Sequence, residues 1–290
     1  MNDYRITTDN MADLPDEYLA AHDIGLMSLS YQIDGKTYDK FHSLPSKEFY
    51  DKMRAGSTPV TSQVNPEEAK HMFEECLKTT NRILHIAFSS GLSGSCNSTR
   101  IAAEELMEER PEVQIVVIDS LCASLGEGLY VYEAVRRKEQ GMPMEELAEW
   151  LESHKQNFVH SFTVEDLIYL YRGGRLSKTS AVLGNMVNLK PVLKMDEKGC
   201  LTAVSKVRGR KKALTRLVDD MEQRIGEFKG KDYMVGITHG DCLEDAEFLR
   251  DQIKERLGME NFMITPLGPT IGAHTGPGLI ALFYLGLSRE

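Results

Sequence analysis

Short apolar runs alternate with longer amphipathic stretches in the first half of this chain of 290 residues. The strand-like runs are 4–7, 24–33, 83–88 and 113–118, and the stretches with helical periodicity are 66–79 and 98–110. Because strands that alternate with helices build βαβ units, this half predicts a parallel sheet covered by helices.

The second half follows a different pattern. Residues 189–195 and 200–207 are strand-like runs separated by Asp196-Glu197-Lys198-Gly199, a turn signal that predicts an antiparallel hairpin. Further strands are predicted over 233–238 and 262–267, further helices over 212–228 and 243–257, and the apolar run 279–287 is interpreted as a buried helix.

We therefore predict an α/β fold of two domains. Residues 1–156 form an N-terminal parallel-sheet domain, and residues 157–290 form a C-terminal mixed-sheet α/β domain. The last segment, 268–290, is expected to pack at the domain interface.

The formal net charge of −10 argues against non-specific binding to nucleic acid or to anionic membranes, since both polyanions repel an acidic surface. Small molecules and proteins are better candidate partners. The 5 cysteines show no CxxC or Cys/His ligand spacing, which indicates reduced thiols and no metal site.

The first 13 residues lack the basic start and the apolar stretch of a signal peptide. The apolar run 279–287 is far shorter than the roughly 20 residues that span a bilayer. We expect a cytoplasmic protein with no integral membrane segment.

Residues 89–95, Ser-Ser-Gly-Leu-Ser-Gly-Ser, lie between a predicted strand and a predicted helix. Their N–H groups and hydroxyls would face the positive end of a helix dipole, which suits a small carboxylate. The segment lacks the lysine of a P-loop and the spacing of a dinucleotide fingerprint. A helix cap that closes a turn, with no ligand, fits the same residues.

Three other segments have a functional and a structural interpretation. The hydroxyls of 57–63 suit carboxylate binding or a turn with an N-cap. Arg172 and Arg175 could face an anion or complement a helix dipole. His274, in a glycine-rich loop, is a candidate polar site, although a single histidine is more often structural.

The basic cluster 206–216 suits an acidic partner protein, nucleic acid, or simply a solvated helix start. No aromatic residues are interleaved with these charges, so a protein partner is the preferred functional interpretation and a DNA-binding regulator the weakest.

A hydrolase is the alternative function. Gly91-Leu92-Ser93 begins a GxSxG pattern, and His274 could serve as the base. The fifth position is Ser95 instead of glycine, and no acid is indicated for a triad. A serine-dependent acyl hydrolase that uses Ser93 and His274 stays a minor alternative.

A set of short motifs runs along nearly the whole chain in a fixed order. Its members are Thr8, Asp9, Ala12, Asp13, Leu14 and Pro15; Thr61, Ser62 and Gln63; Ser89, Ser90, Leu92, Ser93 and Gly94; Val117, Ile118, Asp119 and Ser120; Tyr169, Leu170, Gly173, Gly174 and Arg175; Leu189, Lys190 and Pro191; Lys206, Val207, Arg208 and Gly209; Ile271, Gly272, His274, Gly276, Pro277 and Gly278. In this order and spacing, the set resembles the DegV family of fatty-acid-binding proteins.

The resemblance implies a two-domain α/β fold with one long-chain fatty acid in an apolar tunnel between the domains. Thr61 and Ser93 match the residues that hold the carboxylate. The secondary polar contacts implied are Ser62, Gly94, Arg175 and His274. No catalytic residue and no cofactor besides the bound fatty acid are implied.

Well-understood members of the family deliver the fatty acid to a separate kinase. That kinase forms an acyl phosphate for bacterial phospholipid synthesis. Lys206, Arg208 and Arg210 would then form the surface for the kinase. Ser95 stands where threonine is usual and Asn10 where serine is usual, so both departures keep a small polar side chain.

Overall fold

A computed structural model of the chain describes residues 4–176, 188–230 and 232–289. Residues 1–3, the start of the stretch in which no signal peptide is predicted, lie outside the described residues. The strands are β1 (Arg5–Asp9), β2 (Gly25–Met27), β3 (Ser30–Ile33), β4 (Lys36–Tyr38), β5 (Val60–Ser62), β6 (Arg82–Ala87), β7 (Gln114–Asp119), β8 (Phe158–Thr163), β9 (Leu189–Met195), β10 (Leu201–Arg208), β11 (Val235–His239), β12 (Phe262–Pro266) and β13 (Ile280–Leu285). The helices are α1 (Asp16–Ala21), α2 (Ser46–Arg54), α3 (Pro66–Cys76), α4 (Ser95–Glu109), α5 (Leu125–Glu139), α6 (Met144–His154), α7 (Ile168–Arg172), α8 (Arg210–Arg224), α9 (Leu243–Leu257) and α10 (Pro269–Thr275).

The first sheet has the strand order β2-β1-β6-β7, and every pair in it is parallel. Helices cover both of its faces. Ile83 of β6 packs in one cluster with Phe73 of α3 and Leu106 of α4, while its neighbour Leu84 packs in another with Leu129 of α5. The predicted parallel sheet is confirmed, and burial on both faces explains its apolar strands.

The second sheet has the order β10-β9-β8-β13-β11-β12 and is mixed. Its β11 and β12 are parallel, whereas the other neighbouring pairs are antiparallel. The predicted hairpin is confirmed as β9 and β10, with Gly199 of its turn at a φ of 71° that favours glycine. Together with the first sheet, it gives the two-domain α/β fold that the sequence predicts.

The interpretation of 279–287 as a helix is wrong, because this run forms the strand β13 near the centre of the second sheet. All residues of β13 are buried. A strand buried on both faces has a continuous apolar run, which periodicity alone cannot distinguish from a buried helix. The glycine-rich loop instead contains a short helix of its own, α10, with Pro269 in its first turn.

A third, three-stranded antiparallel sheet with the order β4-β3-β5 has no counterpart among the predicted elements. The single strand predicted over 24–33 is wrong, because the chain leaves the first sheet after β2 and enters the third sheet with β3. Thr61 and Ser62, predicted in a loop, belong to the edge strand β5. Strands of three or four residues are too short to produce a clear alternation.

Helices α5 and α6 also have no counterpart among the predicted elements. In the first turns of α5 the residues on all faces of the helix are buried, including Glu127. The sequence of α5 therefore has no clear polar face. The other predicted elements are present, with ends that differ by a few residues from those expected.

Two carboxyl groups from the start of the chain join its distant parts. Asp9 accepts hydrogen bonds from the N–H groups of Met11 and Phe88 at 2.9 and 3.0 Å. Asp13 accepts one from the Ser124 hydroxyl at 2.6 Å and one from the N–H of Gly268, just before α10, at 2.9 Å. Burial raises the pKa of Asp9 to about 6 and that of Asp13 to about 7. Asp13 therefore fixes the start of α10 against the first sheet.

The strands of the first sheet lie within residues 5–119, and the second sheet begins at β8. Helix α10 contacts α2, β3 and β5 from the earlier part of the chain as well as α7. The exact boundary between 156 and 157, and the assignment of 268–290 to the interface, stay predictions.

We predict that Leu282→Ala lowers the free energy of unfolding by about 2–5 kcal/mol, because it leaves a cavity in a fully buried strand. Chemical denaturation measures the change. Leu287→Ala is the matched control, because Leu287 is 58% exposed just beyond the same strand, and it should change stability by less than about 0.5 kcal/mol. Equal small effects at both positions would contradict the central place of β13.

Candidate functional site

A cavity lies between the parallel sheet and the mixed sheet. The space between its atoms, with the open mouth included, is about 820 Å³, and the part that the centre of a water molecule can reach is about 90 Å³. Phe88 follows β6, Phe162 lies on β8 and Phe283 lies on β13, so both domains supply its walls. The other apolar lining residues are Met11, Leu29, Leu92, Ala123, Leu170, Met195, Leu201, Leu267, Ile271, Leu279 and Ala281. Such walls suit an apolar ligand.

Polar groups that were predicted separately meet in this cavity. Thr61, Ser62, Ser93, Arg175 and His274 all line it. Thr61 lies on β5 and His274 on α10, and Thr61 Oγ1 is 2.8 Å from His274 Nε2. The structure thus places residues from four separate segments at one apolar space.

Ser93 lies in the loop between β6 and α4, where its hydroxyl is 3.0 Å from that of Ser95. Gly94, also predicted as a contact, is the N-cap of α4 and does not line the cavity. A Cβ at this position would overlap the side-chain oxygen of Gln63. The glycine therefore lets Gln63, which does line the cavity, cross the start of the helix.

Arg175 is the charged side chain of the described cavity lining. Its Nε donates to the carbonyl of Leu92 at 3.1 Å, and its Nη1 donates to the carbonyl of Gly173 at 2.6 Å. Burial lowers the pKa of Arg175, yet a guanidinium stays protonated in proteins. Because these two partners are neutral carbonyls, the positive charge favours an anion in the cavity.

His274 is a neutral imidazole at physiological pH. Burial, with a smaller effect of the Arg175 charge, lowers its pKa to about 4. Within the described residues its Nδ1 is buried without a hydrogen-bond partner. When the single ring proton is on Nε2, His274 donates to Thr61, and the Thr61 hydroxyl keeps its own proton for a ligand.

The three basic residues predicted as a partner surface lie away from the cavity lining. Lys206 and Arg208 are exposed on the edge strand β10, and Arg210 begins α8. The Nε of Arg210 donates to Asp245 at 2.9 Å, so this charge is compensated within the chain.

The apolar cavity walls were not predicted from the sequence. Phe162 and Phe283 belong to strands whose residues are buried throughout, and nothing in the sequence marks them among other core residues. The sequence did contain a signal for the polar residues of the cavity, because hydroxyl side chains are concentrated in 57–63 and 89–95.

The geometry of a hydrolase triad is missing from the described part of the chain. His274 contacts Thr61 instead of Ser93, and no carboxylate orients its Nδ1. Among residues 4–176, 188–230 and 232–289, no helix is long and apolar enough to cross a membrane. In the same ranges, no three His, Cys, Asp or Glu side chains are grouped to hold a metal ion.

We predict that the ring of His274 titrates with a pKa of about 4, so that it stays neutral between pH 8 and about pH 5. Nitrogen-15 NMR of the histidine rings measures this directly, and loss of the signal in His274→Gln assigns it. A midpoint at or above the ordinary value of 6.5 would contradict the burial of this ring.

The chain matches known proteins along its whole length. A family model described as "Uncharacterised protein, DegV family" matches residues 3–286. A DegV domain-containing protein of Clostridium perfringens is 41% identical over 292 residues, which cover 100% of both chains.

Solved structures share the fold. One, of a DegV family protein from Thermus thermophilus described by its fatty acid binding, has a TM-score of 0.88 and 28% identity and covers 98% of this chain and 100% of that one. Another, of a DegV family protein from Ruminococcus gnavus with vaccenic acid, has a TM-score of 0.88 and 27% identity, with coverage of 98% and 100%. DegV structures thus bind fatty acids. On the match to the family model and the identity to its Clostridium relative, this chain belongs to the DegV family.

Proposed function

We propose that this protein binds one long-chain fatty acid in the cavity between its two sheets, with the carboxylate held by Thr61 and Ser93. The observation that carries the proposal is an apolar cavity that has both hydroxyls and Arg175 in its lining. The fatty acid binding described for its structural relatives supports the same ligand class.

The apolar walls would provide most of the affinity. Each methylene removed from water contributes about 0.8 kcal/mol, so a dozen contribute on the order of 10 kcal/mol before the costs of association. Phe88, Phe162 and Phe283 provide such a surface from both domains. A short carboxylate would bury few methylenes and bind weakly.

The hydroxyls would fix the orientation of the ligand. An ionised carboxylate can be buried only where donors replace its water. Thr61 and Ser93 can each donate one hydrogen bond, and the positive charge of Arg175 favours the anionic form of the ligand. Since neutral hydroxyls form no tight ion pair, a carboxylate oxygen stays available as a nucleophile.

A separate fatty acid kinase would then transfer a phosphoryl group from ATP to this oxygen and form an acyl phosphate for phospholipid synthesis. The chain itself carries no P-loop pattern, because 89–95 lacks the lysine that contacts the phosphates. We place the protein in the cytoplasm, where ATP and the kinase are present.

The kinase would dock on a basic surface that consists of Lys206 and Arg208 on β10 and Arg210 at the start of α8. Lys206 and Arg208 alternate along the edge of the mixed sheet and are exposed. Arg210 pairs with Asp245 at 2.9 Å, so part of its charge is compensated within the chain.

We predict that Thr61→Val and Ser93→Ala each weaken fatty acid binding by about tenfold to a hundredfold, because each removes a hydrogen bond to a charged group worth about 1.5–3 kcal/mol. Titration calorimetry with a long-chain fatty acid measures the effect.

Thr37→Val is the matched control, because Thr37 lies exposed on β4 of the same three-stranded sheet as Thr61 and outside the cavity. It should leave affinity unchanged. If Thr61→Val and Ser93→Ala bind as tightly as Thr37→Val, the carboxylate does not lie between the two hydroxyls.

We further predict that the fatty-acid-loaded protein yields acyl phosphate with ATP and an extract of its source cells, but not with ATP alone. Hydroxylamine traps the product as a hydroxamate. Product with ATP alone would contradict the carrier role, and labelling of Ser93 by a fluorophosphonate would favour the hydrolase alternative.

A further inference from the structure

A short chain of hydrogen bonds leads from the backbone to the hydroxyl of Ser93. The N–H of Val64 lies 3.2 Å from Ser95 Oγ, and Ser95 Oγ lies 3.0 Å from Ser93 Oγ. The N–H of Ser95 is also 3.3 Å from Ser93 Oγ. Val64 follows β5, the strand of Thr61, so this chain joins the two segments that would hold the carboxylate.

The direction of the hydrogen bonds follows from their fixed ends. A backbone N–H can only donate, so Ser95 Oγ accepts from Val64 and Ser93 Oγ accepts from the N–H of Ser95. Among the described residues, Ser93 is the one acceptor within reach of the Ser95 hydroxyl proton. Ser95 is only 1% exposed, so bulk solvent does not reach its hydroxyl.

The opposite direction would have Ser93 donate to Ser95. The proton of Ser95 would then be buried without an acceptor among the described residues, which is unfavourable. When Ser95 donates instead, Ser93 Oγ accepts two hydrogen bonds, and the Ser93 proton is free to point at a ligand.

We propose that Ser95 is a positioning residue, which orients the hydroxyl proton of Ser93 into the cavity and so makes the site select an anionic carboxylate over a neutral head group. The inference rests on the proposed function, because it concerns the carboxylate end of the same ligand. Ser95 does not line the cavity and acts through Ser93.

A purely structural role for Ser95 predicts a different result. The Ser95 hydroxyl satisfies the N–H of Val64, so its loss could simply loosen the contact between β5 and the start of α4. Such loosening would weaken all ligands alike. Loss of proton orientation would weaken only ligands whose head group needs a donor from Ser93.

The test compares two ligands with the same acyl chain, a fatty acid and its primary amide, at pH 8. The amide has both a carbonyl oxygen, which can accept from Ser93, and N–H donors, which can bond to Ser93 when its proton points elsewhere, so it can pair with Ser93 in either orientation. Displacement of a fluorescent fatty acid gives both dissociation constants for wild type, Ser95→Ala, Ser95→Cys and Ser95→Thr. The cysteine variant keeps the size of the side chain but has a weak donor, and it replaces the alanine variant if that one does not fold.

We expect Ser95→Ala or Ser95→Cys to weaken acid binding by about tenfold, the value of one hydrogen bond to a charged group, with little change for the amide. Ser95→Thr keeps the hydroxyl and should keep the preference for the acid. If the alanine and cysteine variants bind the acid and the amide equally more weakly, or keep the wild-type preference for the acid, Ser95 does not orient Ser93, and the proposed binding function still stands. A wild-type protein that binds neither ligand would overturn the proposed function itself.

Discussion

An ionised carboxylate loses its hydration when it enters an apolar cavity, and several kcal/mol would be lost unless protein donors replace the water. For the proposed ligand, that constraint accounts for the hydroxyls, the neutral histidines, the Gln63 amide and the Arg175 guanidinium that lie among the apolar residues of the lining. His274 can donate to Thr61, and Ser95 can donate to Ser93. Each hydroxyl then keeps a proton for the ligand, so neutral groups alone can replace part of the lost hydration.

The fold must bring these groups together from distant positions in the chain. Thr61 and His274 are 213 residues apart, and they meet because α10 packs on the small sheet that contains β5. Asp13 holds the start of α10 through the N–H of Gly268 and also binds Ser124. Asp13 therefore has a structural role at the contact between the domains. The meeting of Thr61 and His274 in the cavity depends on it, because His274 lies on α10.

The sequence predicted the parallel sheet, the β9–β10 hairpin and the segments of the polar site, because each has a local signal such as alternation, a turn or clustered hydroxyls. It did not predict β13, since a strand buried on both faces has the same apolar run as a buried helix. The three-residue strands β2 and β5 are too short for a periodic signal. The hydrogen bond between Thr61 and His274 and the walls formed by Phe162 and Phe283 could not be predicted, because they arise only from tertiary packing.

Native mass spectrometry of the freshly purified protein, followed by extraction and identification of the released lipid, tests the central claim most directly. The account predicts one long-chain fatty acid per chain, with occupancy that falls in Thr61→Val and in Ser93→Ala but not in Thr37→Val. A protein that stays empty and cannot be loaded with a fatty acid would contradict the account, and so would a lipid whose occupancy is the same in all three variants.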